Sequence, residues 1–320
     1  EVSGPASGIL TDVEYVSAGY GHSLALKSDG TVWAWGWNGY GQLGDGTSIS
    51  KLTPIQVAGK DGVGMLTGVT AISAGFAHSM ALLADGTILT WGWGAYGQLG
   101  YAVTGYSNKV YPTQVLDSSG SGNFGNVASI STKGSHSIAV KNDGTIWIWG
   151  KNDAGQLGDN TKNNRCIPTQ VLGPGGVGNL TDIISASGGY DHTIALKSDG
   201  TVWSWGKNNN GQLGNNTRTE SLVPIQVLDE FASGFLGGIS EISAGDEHNL
   251  ALSSDGNTLW AWGNNSNGQL GDDTTSEKLI PVKTKGAGGV GYLTGVVSIS
   301  GGGNHSLALL GDNSVVSFGA

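Results

Sequence analysis

Cysteine and basic residues are scarce in this chain of 320 residues. The one cysteine, Cys166, allows neither an internal disulfide nor a cluster of cysteine ligands for a metal. The 15 lysines and arginines stand against 25 aspartates and glutamates, which gives a net charge of −10. Nucleic-acid-binding proteins need clustered cations to displace counterions from phosphate groups, so we expect no nucleic-acid partner.

Long apolar runs and helical periodicity are also missing. No apolar run approaches the roughly 18 residues of a membrane-spanning helix, so we expect no membrane insertion. No segment repeats its apolar residues with a sustained helical period, so we expect almost no helix. The sequence contains neither a Gly-x-Ser-x-Gly elbow nor a Gly-x-x-x-x-Gly-Lys phosphate loop. We therefore predict that the chain is not an enzyme and uses no cofactor.

An internal repeat is the dominant feature that the sequence does contain. Each repeat carries one histidine followed by a similar pattern, as in "HSLALKSDGTVWAWG" and "HTIALKSDGTVWSWG". A glycine-rich "GQLGDGT" loop and a short "PIQV" segment follow in most repeats. The six histidines are spaced 56 to 58 residues apart, at positions His22, His78, His136, His192, His248 and His305.

Each repeat reads as a set of short strands. "SLALK" and "TVWAW" alternate apolar with small or polar residues, which is the period of a strand, and the "SDG" between them closes a hairpin. Four strands in about 56 residues, repeated six times, are typical of a β-propeller. We predict an all-β chain that forms one domain over residues 1–320, a propeller of six four-stranded blades.

This sequence pattern of histidine, hairpin, Gly-Gln-Leu-Gly loop and proline segment resembles that of the regulator-of-chromosome-condensation repeat family, and of its bacterial members most of all. The resemblance covers essentially the whole chain and implies a bladed propeller. Well-known members have seven blades, so seven is the alternative, but the six histidines predict six.

The sixth repeat is incomplete. Gly319 of the sixth repeat corresponds to Gly36 of the first, and the sequence ends one residue later. Most of a loop and an outer strand are therefore missing from the sixth repeat. Glu1-Val2 resembles the end of an outer strand, and we expect residues near Val2 to close the sixth blade. Because that clasp would be short, we also predict strand addition by another chain at this blade.

Two repeated residue types could bind a ligand but are better explained by the fold. Six histidines could hold a metal, yet zinc needs about four ligands within a few ångströms, so we expect no metal and half-buried histidines bonded to backbone. Tryptophan pairs such as Trp33 and Trp35 lie on one face of a strand, and we expect them to pack between blades.

Loop residues that differ between repeats are the candidate binding residues. Trp37 and Tyr40 stand in the first repeat and Trp93 and Tyr96 in the second, where later repeats have lysine, alanine or asparagine. A constant framework with variable loops is how repeat proteins present a binding surface. Local packing of these rings is the alternative, and Tyr101, Tyr106 and Tyr111 could extend the surface.

The residues two positions before each histidine vary in the same way. Three of them are aromatic and complete the predicted binding set: Tyr20, Phe76 and Tyr190. The family's plant UV-B photoreceptor uses tryptophan and arginine in this place, which this chain lacks, so photoreception is not expected.

The function that we predict is a non-catalytic scaffold that binds a protein partner through its loop faces. The alternatives are a glycan-binding surface module, an inhibitor of an extracellular enzyme, and a small-GTPase exchange factor, the last implied by the founding member of the family. The low charge and the single cysteine favour a secreted or cell-surface protein of a bacterium.

Overall fold

A computed structural model describes residues 9–101 and 107–320 of the chain. The prediction of an all-β, six-bladed propeller is confirmed, because every long element is a strand and the strands form six antiparallel sheets. Five blades have four strands, in simple up-and-down order. The chain divides into two compact units: the first contains blades 1 to 3, and the second contains blades 4 to 6 with residues 143–146 and 152–163 of blade 3.

In the first unit, each blade is built from four consecutive strands. Blade 1 comprises β1 (Val13–Ala18), β2 (His22–Lys27), β3 (Val32–Gly36) and β4 (Lys51–Gln56). Blade 2 comprises β5 (Val69–Ala74), β6 (His78–Leu83), β7 (Ile88–Gly92) and β8 (Lys109–Gln114). Blade 3 comprises β9 (Val127–Thr132), β10 (His136–Lys141), β11 (Ile146–Gly150) and β12 (Arg165–Gln170).

The second unit repeats this arrangement and ends with a shorter blade. Blade 4 comprises β13 (Ile183–Gly188), β14 (His192–Lys197), β15 (Val202–Gly206) and β16 (Ser221–Gln226). Blade 5 comprises β17 (Ile239–Ala244), β18 (His248–Ser253), β19 (Leu259–Gly263) and β20 (Lys278–Lys283). Blade 6 comprises β21 (Val296–Gly301), β22 (His305–Leu310) and β23 (Val315–Gly319). The only helical segments in the described ranges are three single 3₁₀ turns, at Lys60–Gly62, Pro174–Gly176 and Ala287–Gly289.

The incomplete sixth blade was predicted correctly: its sheet has three strands within the described residues. Val2, which we expected to close this blade, lies outside the described residues. Closure by the N-terminus and strand addition by another chain therefore stay predictions.

The Asp-Gly hairpins form as predicted. In blade 1 the Asp29 carboxylate accepts hydrogen bonds from the backbone N–H of Thr31 at 2.9 Å and from its hydroxyl at 2.5 Å. Gly30 takes φ = +76°, a conformation that costs glycine little and other residues more. The tight turn fixes the register of β2 against β3, with Leu24 opposite Ala34.

The core lies between neighbouring blades. Leu24 and Val32 of blade 1 are buried in one cluster with Val69, Ala74 and Trp91 of blade 2. The Trp91 ring is fully buried and its Nε1–H donates to the carbonyl of Gln42 at 2.9 Å. The second tryptophans of three pairs, Trp149, Trp205 and Trp262, are also fully buried, and the same bond joins Trp262 to Gln212 in the second unit at 3.0 Å. Trp35, the second tryptophan of the first pair, is only half-buried.

The histidines differ from our expectation of half-buried residues bonded to backbone. His22 and His78 are fully enclosed, and their Nε2 atoms share hydrogen bonds of 2.9 Å with the hydroxyls of Ser79 and Ser137 in the next blade. His192 and His248 make the equivalent bonds of 2.9 Å to Asn249 and Ser306. In these four cases the next blade presents a side chain for the imidazole, whereas His305 of blade 6 is exposed.

Candidate recognition surface

The loops that follow β3 and β7 are held by hydrogen bonds to the turn before each histidine. The N–H of Trp37 donates to the Gly21 carbonyl at 2.7 Å, and that of Trp93 donates to the Ala77 carbonyl at 2.8 Å. Glutamine side chains fix the next residues: the N–H of Tyr96 donates to Oε1 of the buried Gln98 at 2.9 Å. The framework therefore positions two variable segments of each blade, and their side chains, side by side.

The four predicted loop aromatics of blades 1 and 2 contact one another in a row. Trp37 meets Tyr40 edge to face, with ring centroids 5.2 Å apart. Tyr40 stacks on Trp93 at 5.5 Å, and Trp93 meets Tyr96 edge to face at 5.1 Å. These are the offset and T-shaped geometries that aromatic quadrupoles favour.

Two of the three aromatics that precede the histidines join the same row. Phe76 lies 5.9 Å from Trp93 between ring centroids, and Tyr20 stacks on Phe76 at 4.7 Å. Six of the seven predicted binding residues thus form one connected set. We call this set the aromatic cluster: Tyr20, Trp37, Tyr40, Phe76, Trp93 and Tyr96.

The aromatic cluster is only partly covered. Tyr20 is 76% exposed and Trp37 is 38% exposed, while the other four rings are half-buried. The Trp37 ring leans over its own loop, because a Cβ added at Gly39 would lie 2.9 Å from its Nε1. Part of the cluster therefore packs locally, and the exposed parts of its rings, mainly that of Tyr20, remain open to a ligand.

The remaining predicted residues lie elsewhere. Tyr190 belongs to the second unit, is 40% exposed, and donates its backbone N–H to the Asp246 carbonyl at 2.9 Å. Tyr101 donates its hydroxyl to the Ser107 carbonyl at 3.0 Å, and the Lys109 ammonium lies 4.3 Å from the centre of its ring. Tyr106 is outside the described residues.

A polar network occupies the matching repeat positions in blades 4 and 5. The half-buried Glu247 carboxylate accepts hydrogen bonds from Lys207 at 2.7 Å, from Asn210 at 2.8 Å and from Asn264 at 3.2 Å. Burial alone would raise the pKa of Glu247, but the hydrogen bonds from Lys207 and Asn264 and the Lys207 charge outweigh it and lower that pKa. Sequence reasoning missed this network, whose signal was Lys207 at the repeat position of Trp93.

Across residues 9–101 and 107–320, histidine, cysteine and acidic side chains do not gather in groups of three or more that could hold a metal ion. The helical turns of the same ranges are all far too short to cross a membrane.

Comparison with known proteins identifies the family. The RCC1-like domain matches residues 107–320, and the regulator of chromosome condensation (RCC1) repeat matches residues 29–82, with a second description of that repeat matching 13–42 and 69–98. The chain belongs to the RCC1-repeat family. The resemblance drawn from the repeated motif is therefore confirmed, over stretches that include all six histidines and parts of all six blades.

RCC1-repeat relatives of different kinds are similar to this chain. The ultraviolet-B receptor UVR8 of Arabidopsis thaliana is 30% identical over 95% of the chain and 64% of the receptor. The X-linked retinitis pigmentosa GTPase regulator homolog of Caenorhabditis elegans is 30% identical over 81% of the chain and 20% of that protein. The chain thus spans less than two thirds of the length of these relatives.

Solved structures show the same fold. Human WBSCR16 superimposes with a TM-score of 0.75 at 28% identity, covering 93% of this chain and 72% of that one. Prp20p of Saccharomyces cerevisiae superimposes with a TM-score of 0.77 at 22% identity, covering 100% of this chain and 75% of that one.

Proposed function

We propose that this RCC1-repeat chain is a protein-binding scaffold and that the aromatic cluster is its recognition surface. The observation that carries the proposal is the unbroken ring contact from Tyr20 through Phe76 and Trp93 to Trp37. Tyrosine and tryptophan dominate the energetic centres of protein interfaces, and exposed aromatic groups are uncommon on inert surfaces. Pre-ordered rings also lose little side-chain entropy when a partner binds.

The blade framework does not require these rings. Blades 4 and 5 carry Lys207 and Asn264 at the repeat position that Trp37 and Trp93 share, and their four strands and hairpins are the same as those of blades 1 and 2. In those blades the polar side chains satisfy one another through Glu247. Aromatic residues at this place in blades 1 and 2 are therefore better explained by what they contact outside the chain.

Fold neighbours support a protein as the partner class. One solved structure shows yeast RCC1 (Prp20) bound to Kap60, and another concerns the binding of Prp20p to Gsp1p and histones. Because these partners are proteins, we propose that the partner of this chain is also a protein. A small GTPase is one candidate within that class, since one relative is named a GTPase regulator homolog.

A matched pair of substitutions tests the proposal. Tyr20 in the cluster and Phe231 in a turn of the second unit are exposed to nearly the same extent, 76% and 77%. Tyr20→Ala and Phe231→Ala should both leave the melting temperature within about 2 °C of the parent, because exposed side chains contribute little to stability. Pull-down from an extract of the source organism, read by mass spectrometry, should lose its specific partner with Tyr20→Ala and keep it with Phe231→Ala. Equal retention by both variants would contradict the proposal.

A glycan-binding module is the second candidate, favoured by the flat exposed face that Tyr20 presents above Phe76. The same two variants on a glycan array distinguish it: saturable binding that Tyr20→Ala abolishes would assign the cluster to a sugar. An extracellular or cell-surface location belongs to the proposal, whether the partner is a structural protein or an enzyme that the chain inhibits. Fractionation of the source cells tests that location.

A further inference from the structure

A buried polar residue directly follows each histidine of blades 2 to 6 and connects its blade to a loop of the blade before. Its side chain donates a hydrogen bond of 2.7 to 2.9 Å to the main-chain carbonyl of a glutamine in that loop. The residues are fully buried serines, a threonine and an asparagine: Ser79, Ser137, Thr193, Asn249 and Ser306. Their glutamines, in the same order, are Gln42, Gln98, Gln156, Gln212 and Gln269.

The direction of this bond decides which nitrogen of the neighbouring histidine carries the proton. A serine hydroxyl has one proton, and Ser79 donates it to the Gln42 carbonyl at 2.8 Å. The same hydroxyl oxygen lies 2.9 Å from Nε2 of His22, so it must accept there, and Nε2 is the donor. Nδ1 of His22 is then the unprotonated nitrogen, and it is buried with no hydrogen-bond partner within the described residues.

The asparagine of blade 5 leads to the same assignment by a different chemistry. The Gln212 carbonyl can only accept, so the Asn249 amide turns its nitrogen toward that carbonyl, at 2.7 Å. The amide oxygen then faces Nε2 of His192 at 2.9 Å, where it can only accept. A hydroxyl and an amide thus both require a histidine with its proton on Nε2.

The glutamine at the other end of the bond orients one loop residue with its own side chain. Oε1 of Gln42 accepts from the N–H of Tyr40 at 3.0 Å, and Oε1 of Gln98 accepts from the N–H of Tyr96 at 2.9 Å. Both tyrosines belong to the aromatic cluster and contact Trp93, with ring centroids 5.5 and 5.1 Å apart. Each buried serine is therefore connected through one glutamine to a ring of the cluster.

The two glutamines are not held equally well. The Gln42 carbonyl accepts a second hydrogen bond, from the indole N–H of Trp91 at 2.9 Å. Trp149 stands at the repeat position of Trp91, but its indole N–H is buried with no hydrogen-bond partner in the described ranges. Among the described side chains, only Ser137 donates to the Gln98 carbonyl, at 2.8 Å. The loop of blade 2 thus depends on its serine more than the loop of blade 1 does.

We propose that Ser79 and Ser137 are positioning residues for the aromatic cluster. Each accepts from the Nε2–H of a buried histidine and fixes the glutamine that orients Tyr40 or Tyr96 against Trp93. Rings that are already ordered lose less freedom when a partner binds. The cluster that these serines position is the recognition surface of the proposed function, and their role in recognition rests on that proposal.

NMR of protein labelled at its histidine ring nitrogens tests the direction of the bonds. At pH 7 the rings of His22 and His78 should each carry their proton on Nε2 and show an unprotonated Nδ1. The signals are assigned by their loss in His22→Gln and His78→Gln. A proton on Nδ1 of either ring would reverse the direction of its bond to serine and would overturn the proposal.

A matched pair of serine substitutions tests the positioning. Ser137→Ala removes the bond to Gln98, and Ser306→Ala removes the equivalent bond of 2.8 Å to Gln269. Gln269 orients Asn267, which has no aromatic ring, so Ser306→Ala controls for the loss of a buried serine. Nuclear Overhauser cross-peaks between the rings of Tyr96 and Trp93 should be lost in Ser137→Ala and kept in Ser306→Ala. Cross-peaks kept by both variants, or lost by both, would overturn the proposal.

Two features keep this test independent of folding. Ser137→Ala should fold, because Nε2 of His78 retains a second acceptor, the hydroxyl of Thr132, at 2.9 Å. Ser137→Thr should restore the cross-peaks, since Thr193 makes the same donation at 2.9 Å in blade 4. Failure of threonine to restore them would contradict a role for the hydroxyl hydrogen bond.

The equivalent change in blade 1 should have a smaller effect. In Ser79→Ala the Trp91 indole still holds the Gln42 carbonyl, so the cross-peaks between Tyr40 and Trp93 should weaken less than those lost in Ser137→Ala. A larger loss in Ser79→Ala would contradict the proposed path through the glutamine carbonyl. Because these spectra report the rings and not a partner, they are separate from the pull-down with Tyr20→Ala. Displaced rings in Ser137→Ala with full recovery of the partner would contradict the recognition surface and support the positioning role.

Discussion

Among single residues, the buried imidazoles have the clearest energetic consequence. Burial lowers the pKa of His22 to about 4, and burial with the neighbouring imidazoles of His22 and His136 lowers that of His78 to about 3. In the unfolded chain a histidine titrates near 6.5. The folded chain therefore holds these rings neutral at pH values where the unfolded chain takes up protons.

Acidification should consequently destabilise the protein well before its carboxylates titrate. Between pH 6.5 and 5 the unfolded state binds more protons, so the free energy of unfolding falls with pH, by up to about 1.4 kcal/mol per pH unit for each such histidine. Urea unfolding at pH 7, 6 and 5 measures this slope. His22→Gln should reduce the slope, and a stability that is constant or rises on acidification would contradict the assignment.

At the scale of the strand, one repeat position has two very different environments. Leu250 in β18 is fully buried, whereas Leu307, at the same position in β22, is 37% exposed. Leu250→Ala should cost about 3 kcal/mol, since it removes apolar contacts and leaves a cavity. Leu307→Ala should cost roughly 1 kcal/mol, because its side chain is already in contact with water. Denaturant unfolding of both variants checks the difference, and equal losses would show that the blade 6 face is covered in solution.

The elements were predictable from sequence where local chemistry decides them. The Asp29-Gly30 turn, the alternation in β2 and β3, and the buried second tryptophan all follow from residue type and spacing. The partner of each histidine did not follow, because Ser79 and Ser137 lie in the next blade and more than 50 residues away. The Glu247 network was missed for the same reason: its lysine and asparagines become neighbours only after the loops are placed.

At the scale of the whole molecule, the number of repeats predicted the fold, and the loop residues that differ between repeats predicted the candidate site. Six histidines predicted six blades, and the aromatic residues of the first two repeats predicted a set that the structure brings into contact. The sequence could not predict how far each ring is exposed, since Tyr20 and Phe76 occupy one repeat position with different burial. That difference comes from packing between loops rather than from residue type.

Stability should be unequal among the blades, although their hydrogen-bond ladders are alike. In the first unit, nearly all of β1 is exposed, while most of the equivalent strand β5 is at least partly buried. In the second unit, His305, Leu307 and Leu309 of β22 are exposed where β18 is buried. Amides open more readily where few apolar contacts hold a strand.

Native-state hydrogen exchange should therefore show faster exchange in β1 than in β5, and faster exchange in β22 than in β18. The comparison within each unit controls for strand length and for place in the blade, because the paired strands have six residues each and occupy the same repeat position. Uniform protection along the chain would mean that something covers the exposed faces of blades 1 and 6 in solution. Mass spectrometry of the intact protein under non-denaturing conditions would then identify the covering partner as a second copy or a co-purified protein by its mass.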